Sequence, residues 1–446
     1  MSDWRTTVTG ARRLFAAGEL SSEELEGSQR NTIRRLDGRL NAFISVLSES
    51  GPRKTRGPLQ GITIAVKDNV FVAGRRTTAG SKAFRRFVPA HDADVVADLR
   101  GAGATLIGKT NMHEFAFGVT NINEYWGDCR NPWNPSRVSG GSSGGSAVAV
   151  STGMACAAIG TDTGGSVRIP ASLCGVVGYK PTYGLISIRG IVPLAWSLDT
   201  VGFLTSTVTD AAFLASISSR RGSPKIVAGL KGTGPRPLGG VRLGVPWGLL
   251  EPLDDDVRAR FRESLDLAAQ EGAKVVPVSL EHVKEASACR SIITHAEAAS
   301  FHRKYYSKMH RNYGREMRRR VAQGLAIPAV VYIDALRARR ELLAGFRSIF
   351  RRVDLLALPT TRIPAPTVKE SRGGESSQRV RSALIALPEL FNLFGAPAIS
   401  IPCGLTHDRL PVGFQLAADV GFDAELLQVA VALERIFPKL PRPGLS

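Results

Sequence analysis

The chain has 446 residues, 43% hydrophobic and 22% charged, with 58 lysines and arginines against 39 aspartates and glutamates. Those proportions exclude wholesale disorder and predict a core large enough to need no disulfide or metal staples. Cys129, Cys156, Cys174, Cys289 and Cys403 contain no CxxC pair, the histidines form no HExxH, residues 1–15 do not read as a secretory signal, and no apolar run of about eighteen residues occurs, so zinc sites, disulfide scaffolds and membrane spans are disfavoured and a reduced, cytoplasmic setting is expected.

Ser21-x-x-Glu24 is a capping box, and Leu25, Ile33, Leu36, Leu40 and Phe43 follow at helical spacing, so residues 1–50 read as a helical segment. A polar loop, Glu49–Gly57, leads to the buried strand GITIAVKDNV. Helix Asp94–Gly101 and strand Thr105–Ile107 come next. Two Gly/Ser loops then bracket fourteen small residues, Ser146–Ile159, which suggest one closely packed helix. A core β-unit runs through Val176–Arg189, and Gly222–Gly240 reads as a surface connection. VRLGVP and KVVPV are strands on either side of the helical pattern Asp254–Gly272. VVYIDALRARRELLAGFRSIF is helical, DLLALPT (354–360) is a strand, and Lys369–Arg381 reads as a polar loop at the mouth of a pocket. AISIPCG and VGFQLAA form a hairpin, and Asp423 opens a terminal helix. Strands alternating with helices, ending in a hairpin, predict an α/β fold with a mixed sheet.

The basic excess is concentrated. Residues 301–352 hold fourteen Lys/Arg against three Asp/Glu, +11 of the total +19. Phe301, Tyr305, Tyr306 and Tyr313 lie among Arg303, Lys304, Lys308 and Arg311, a mixture that suits phosphate tracking and base stacking. Helical periodicity favours the plainer reading of solvated helix faces, since no groove or nucleic-acid motif accompanies the charge. Gly103-ATLI-Gly108-Lys109-Thr110 fits the phosphate-loop pattern formally. That motif needs a flexible loop between strand and helix, whereas Thr105, Leu106 and Ile107 favour an extended buried segment. Lys109 is therefore read as a surface or loop-ordering lysine.

Two features carry chemistry. Lys67 closes the apolar strand Ile64-Ala65-Val66, where burial would disfavour its ammonium form and leave an amine able to act as a base; a snorkelling lysine or a pair with Asp68 is the alternative. The second feature is a pair of glycine-rich loops, Gly140–Gly145 and Gly160–Ser166. Glycines let backbone approach a ligand closely, and the successive amides of Thr163, Gly164 and Gly165 can form a nest for an oxyanion, with Ser166 beside it as nucleophile. A lysine in reach of that serine would supply the base without a histidine.

The Gly/Ser-rich region 139–181, together with GITIAVKDNV, GATLIGKTNMHEFAFG, RNPWNPSRVSGGSSGGS, PTYGLIS and SLDTVG, resembles the amidase signature family of serine hydrolases over nearly the whole chain. The resemblance implies one amidase-signature domain over 1–446, with a central mixed β-sheet covered by helices on both sides. It implies a Lys67–Ser142–Ser166 triad, Ser142 following a cis peptide bond and bridging the other two. Thr163, Gly164 and Gly165 become the backbone oxyanion hole, and Ser143, Asp162 and Arg168 brace the loops. Met112, Phe115, Phe117, Tyr125 and Trp126 are candidate pocket liners by their place in the motifs, although core packing explains them equally well. The resemblance calls for no metal and no cofactor.

Within the family, a standalone amidase acting on a small amide is similar to, but distinct from, the glutaminase (A) subunit of tRNA-dependent amidotransferases, which passes ammonia to a partner. Ile169 stands where that subunit usually has glutamine after the signature arginine. Ser187-Ile188-Arg189-Gly190 replaces its Ser-Arg-Tyr-Gly, and no Asp-Gly-x-Arg-Tyr-Gly occurs near His295–Tyr306. These departures favour the standalone enzyme. Arg319 and Arg320 fall where a carboxylate-binding arginine would lie, which keeps glutamine in play. The expected partner is a small-molecule amide; a homo-oligomer is compatible with the sequence. A non-catalytic RNA-binding or scaffold protein using residues 301–352 is the third reading.

Overall fold

The computed structural model describes residues 6–47, 57–219 and 236–444; most of the Glu49–Gly57 loop and of the Gly222–Gly240 connection lies outside them. The capping box at Ser21 is formed, with Glu24 N–H donating to Ser21 Oγ at 3.1 Å and Ser21 N–H to Glu24 Oε2 at 2.8 Å. It starts the helix Ser22–Leu40, preceded by a short helix Val8–Ala16. Phe43, expected in the helix, instead opens strand β1 (Phe43–Val46). The helix ends at Asn41 in the left-handed region (φ 54°), and Asp37 Oδ1 accepts from the amides of Ala42 and Phe43, turning the chain away from the helix axis.

The remaining strands are β2 (Thr63–Lys67), β3 (Thr105–Thr110), β4 (Ala157–Asp162), β5 (Val177–Lys180), β6 (Thr200–Thr205), β7 (Arg242–Val245), β8 (Lys274–Pro277), β9 (Leu355–Pro359), β10 (Ala398–Leu405) and β11 (Pro411–Ala417). They form an eleven-stranded sheet in the order β1-β3-β2-β4-β6-β5-β10-β11-β9-β7-β8. β2 runs parallel to β3 and β4, and β7 parallel to β8 and β9; the other pairs are antiparallel. The expected mixed α/β sheet is thus present.

Strand periodicity of two explains why helices cover both faces. Ile64 and Val66 of β2, with Ala157 and Ile159 of β4, pack into the core shared with helices Asp94–Gly101, Val208–Ser218 and Asp423–Ile436. Ala65 and Ala158 point the other way, toward helices Ser22–Leu40, Gly144–Ser151 and Arg168–Cys174. The small residues 146–159 do not make one helix. The helix stops at Ser151, Gly153 turns at φ 72°, and β4 begins at Ala157. The expected β-unit to Arg189 is a strand only to Lys180, followed by turns.

Lys369–Arg381 is not a loop. Most of it belongs to the helix Gly374–Ile385, whose Val380, Leu384 and Ile385 pack on Val119 and Ile169. Its outer face is polar because it meets water, which gave the segment the composition of a loop. The basic stretch 301–352 lies largely in helices Val283–Met309, Arg315–Leu325 and Ala329–Ile349. Its aromatics pack inward: Tyr305 meets Phe84 edge-on at 5.1 Å, and buried Tyr313 stacks on Phe115 at 5.2 Å. They are occupied as core packing rather than presented as stacking platforms.

Close approach of helix Gly144–Ser151 to the sheet depends on Gly145. A Cβ there would lie 2.6 Å from both the backbone nitrogen and the carbonyl oxygen of Asn111. Gly145→Ala is therefore expected to destabilise the protein by about 1–3 kcal/mol. Gly27→Ala, in open space on the helix Ser22–Leu40, is expected to stabilise it by about 0.5–1 kcal/mol. Denaturant unfolding midpoints that move in the same direction for both would refute the packing argument.

Candidate active site

Because β2 and β4 are parallel neighbours with Val66 opposite Ile159, their carboxyl ends emerge together, the usual place for a site in a sheet with parallel connections. Lys67 ends β2 and Asp162 ends β4. Lys67 is fully buried, its Nζ 2.7 Å from Ser142 Oγ, 2.8 Å from Thr161 Oγ1 and 3.2 Å from the Thr161 carbonyl oxygen. Burial pushes the amine down to about 7, against the opposing pull of the Asp162 and Asp199 carboxylates.

The peptide bond Gly141–Ser142 is cis. Ser143 ties the two glycine loops together: its amide donates to the Ser166 carbonyl oxygen at 3.1 Å, and its hydroxyl to the Thr161 carbonyl oxygen at 3.3 Å. Asp162 organises the second loop. Its Oδ1 accepts from the Gly165 amide at 2.7 Å, Asn392 Nδ2 at 2.9 Å and Arg168 Nη2 at 2.9 Å, while Oδ2 accepts from Val167 N–H and Arg168 Nε, each at 3.1 Å. Arg168 also donates to the Pro388 carbonyl oxygen, Gln415 Oε1 and Asn392 Oδ1. Burial alone would raise the Asp162 carboxyl; the Arg168 guanidinium, Lys180 and Asn392 overcome this and hold it well below the usual carboxylate range.

Gly165 departs from its expected role, because its N–H is engaged by Asp162. Its positive φ of 111° and a would-be Cβ 2.7 Å from Pro388 Cγ instead make it the residue that permits the turn. Thr163, Gly164 and Ser166 line a cavity of about 230 Å³ with Phe117, His295 and Ile385. Arg290, Arg320 and Arg381 also line it, and among the described residues no aspartate or glutamate does. Arg320 sits 4.4 Å above the Phe117 ring and pairs with Glu316, which also accepts from Arg381 at 2.7 Å; Arg290 Nε lies 2.6 Å from Glu389 Oε2.

Of the five candidate liners only Phe117 reaches this cavity. Positive φ angles at Phe115 (49°) and Ala116 (59°) reverse the chain, sending Phe115 into an aromatic core cluster with Phe84 and Tyr313 and leaving Phe117 on the cavity side. Met112 is wholly buried in that same core. Tyr125 and Trp126 lie in a turn, where Tyr125 is exposed and the Trp126 carbonyl accepts from Asn41 Nδ2. Arg320 lines the cavity and Arg319 does not. Lys109 is no surface residue: it is buried, paired with Asp68 at 2.8 Å and bonded to the Val70 carbonyl and Thr77, so it orders the loop after β2. Gly108-Lys109-Thr110 belongs to β3, which leaves no phosphate loop there.

Three contributors were not singled out beforehand. Thr161, which meets Lys67, and Asp199, which accepts from Thr163 Oγ1 at 2.5 Å, were inside quoted motifs without distinguishing signals. Arg290 comes from a distant helix with no local signature. Among the described residues no group of three His, Cys, Asp or Glu is arranged to hold a metal ion, and no single helix is long and apolar enough to cross a membrane.

Residues 44–427 match the family model Amidase. The chain is 37% identical over 468 residues to the glutamyl-tRNA(Gln) amidotransferase A subunit of Symbiobacterium thermophilum, covering 95% of both chains. It is 36% identical over 452 residues to the corresponding protein of Thermotoga maritima, covering 94% of each. The crystal structure of an amidase superposes with a TM-score of 0.87 at 35% identity, covering 97% of this chain and 100% of the other.

Arg168→Met would leave the Asp162 carboxylate buried without its counter-charge, and is expected to cost about 3–5 kcal/mol. Adding Asp162→Asn should recover part of that loss, a coupling that denaturant unfolding of the two single variants and the double variant measures directly.

Proposed function

The chain belongs to the amidase family, enzymes acting on amide C–N bonds, and on that premise we propose that it hydrolyses a carboxylic amide through an acyl-enzyme on Ser166. The observation that carries this reading is the buried Lys67 amine, 2.7 Å from Ser142 Oγ, behind a cavity lined by Ser166. An amine pushed down to about 7 is largely neutral in mildly alkaline solution and accepts a proton there.

In this mechanism the substrate carbonyl oxygen lies against the loop amides of Thr163 and Gly164. Ser166 Oγ attacks the carbonyl carbon; its proton passes to Ser142 Oγ while the Ser142 proton passes to Lys67 Nζ. The relay then reverses. The C–N bond breaks, the departing nitrogen takes the proton, and an ester to Ser166 remains. Water enters, loses its proton through the same relay, and releases the acid. Asp162, Arg168 and Ser143 act by holding the loops, and Thr161 by fixing the direction of the Lys67 amine.

Two versions of this chemistry differ in the source of the amide. A cavity lined, among the described residues, by three arginines and no acidic residue offers a carboxylate a partner and an α-ammonium group none, which supports a standalone amidase over an amino-acid amidase. The relatives that carry the name of an amidotransferase A subunit support the second version more strongly than the sequence departures alone had suggested: a glutaminase component that passes ammonia to a partner. Ammonia release by the purified chain separates them. Turnover of simple amides without a partner is the expected result for the first, and activity confined to glutamine for the second.

Ser166→Ala is expected to abolish turnover and labelling by a fluorophosphonate; full labelling of that variant would remove Ser166 from the mechanism. Since the neutral form of Lys67 is the base, kcat/KM should rise as pH increases through about 7. Lys67→Ala should lose that rise together with about 100-fold or more of the rate, a result read from pH–rate profiles of the two proteins.

A further inference from the structure

A groove of about 670 Å³ shares no lining residue with the cavity at Ser166. It runs between the turn that leads from β8 into the helix Val283–Met309 and the helix Ala329–Ile349. Its volume falls within the roughly 300–1,000 Å³ of most small-molecule sites. The walls are mainly apolar. Val283 and Leu342 are half-buried there, and the buried rings of Phe346 and Phe394 stack at 4.4 Å. Leu390 and Phe394 bring the short helix Glu389–Leu393 and its C-cap to the groove. The same helix carries Asn392, which bonds both Asp162 and Arg168. A ligand in the groove therefore rests against the segment that braces the serine loop.

Charge at this groove runs against that of the whole chain. The chain carries a net +19, yet three carboxylates, Glu281, Glu285 and Glu341, line the groove with a single guanidinium, Arg352. Glu285 lies 3.7 Å from His282, which also belongs to the wall. Glu281 and Glu341 are exposed, and neither side chain has a hydrogen bond or ion pair among the described residues. Three carboxylates against one guanidinium disfavour an anion. A wholly apolar ligand leaves the carboxylates without a partner. A hydrocarbon body with a cationic head satisfies both parts of the wall.

We propose that this groove is a second ligand site, taking an amphiphilic cation. Its alkyl or aryl chain packs on Leu342, Phe346 and Phe394, and its ammonium group sits among Glu281, Glu285 and Glu341. Burial of the chain supplies most of the affinity, and the carboxylates select the sign of the head group. The site is independent of the Ser166 reading, since no step of the hydrolysis uses any of these residues.

Calorimetric titration of the full chain tests this with alkyltrimethylammonium salts, straight-chain alcohols and carboxylates of equal length, each below its micelle concentration. Affinity for the ammonium series is expected to rise by up to about fourfold per added methylene until the groove is filled, and to weaken with salt. At a given length the cation should bind best and the carboxylate worst. Gly345 lines the groove on an exposed helix face, where a Cβ meets nothing within 4 Å. Gly345→Leu should therefore fold as well as the parent and, by filling the groove, lose about tenfold in affinity. Glu281→Gln combined with Glu341→Gln should keep alcohol binding and cut the cation's advantage over the alcohol by about threefold. Parent-like binding by Gly345→Leu overturns the location. Equal binding of cation and carboxylate, or an undiminished cation preference in the double variant, overturns the ligand class. Fluorophosphonate labelling of Ser166 is expected to be the same in all these variants, so failure of the groove and failure of the nucleophile assignment are read separately.

Discussion

The buried ion pair between Asp162 and Arg168 is the interaction on which the site depends. Both side chains are wholly removed from water, and an uncompensated charge in that position would be strongly unfavourable. It is tolerated because nearly every donor and acceptor is used: loop amides and Asn392 on the carboxylate, and the Pro388 carbonyl, Gln415 and Asn392 on the guanidinium. Those partners come from β4, the following helix, the segment 388–392 and β11. The serine loop acquires its shape only when all four segments are in place, so assembly of the site is tied to assembly of the sheet.

Burial pushes both Lys67 and Lys109 down, but the two lysines meet different partners. Lys109 is compensated directly by Asp68 and anchors a loop. Lys67 meets hydroxyl and carbonyl oxygens instead, because the neighbouring Asp162 has its oxygens taken up by Arg168, Asn392 and amides. With no carboxylate in contact, burial brings the Lys67 amine down to about 7. One lysine is thus a structural tie and the other a group that can exchange a proton, with identical residue type and identical burial. Charge segregation in the surrounding shell makes the difference.

The cavity walls show a comparable division of labour. Arg290, Arg320 and Arg381 project from three helices, and Glu316 and Glu389 behind them satisfy part of their charge. The result is a donor-rich rim around a small space whose floor is serine, threonine and glycine backbone. The donors of that rim are held in place by their own ion pairs, so they need little reorganisation to meet a ligand.

Much of this was legible in local sequence. The Ser21 capping box, the apolar run ending at Lys67, the helix Asp94–Gly101 and the terminal hairpin all carry short-range signals: capping spacing, β-branched runs and turn residues. The Gly/Ser loops identified Ser142 and Ser166 as positions of interest through a long motif, and the resemblance carried by that motif implied helices on both faces of the sheet. Local composition misled where a segment was amphipathic or mixed. Residues 369–381 looked like a loop because the helix that holds most of them has only one apolar face, and residues 146–159 looked like a single helix because small residues serve a close-packed helix and a buried strand equally. Tertiary structure alone decided which aromatic after Glu114 faces the cavity, that Gly165's amide belongs to Asp162, and that Arg290, more than a hundred residues from Ser166, stands beside it. Backbone reversal, competition for hydrogen-bond donors and helix packing arise from contacts between distant segments, and no spacing along the chain encodes them.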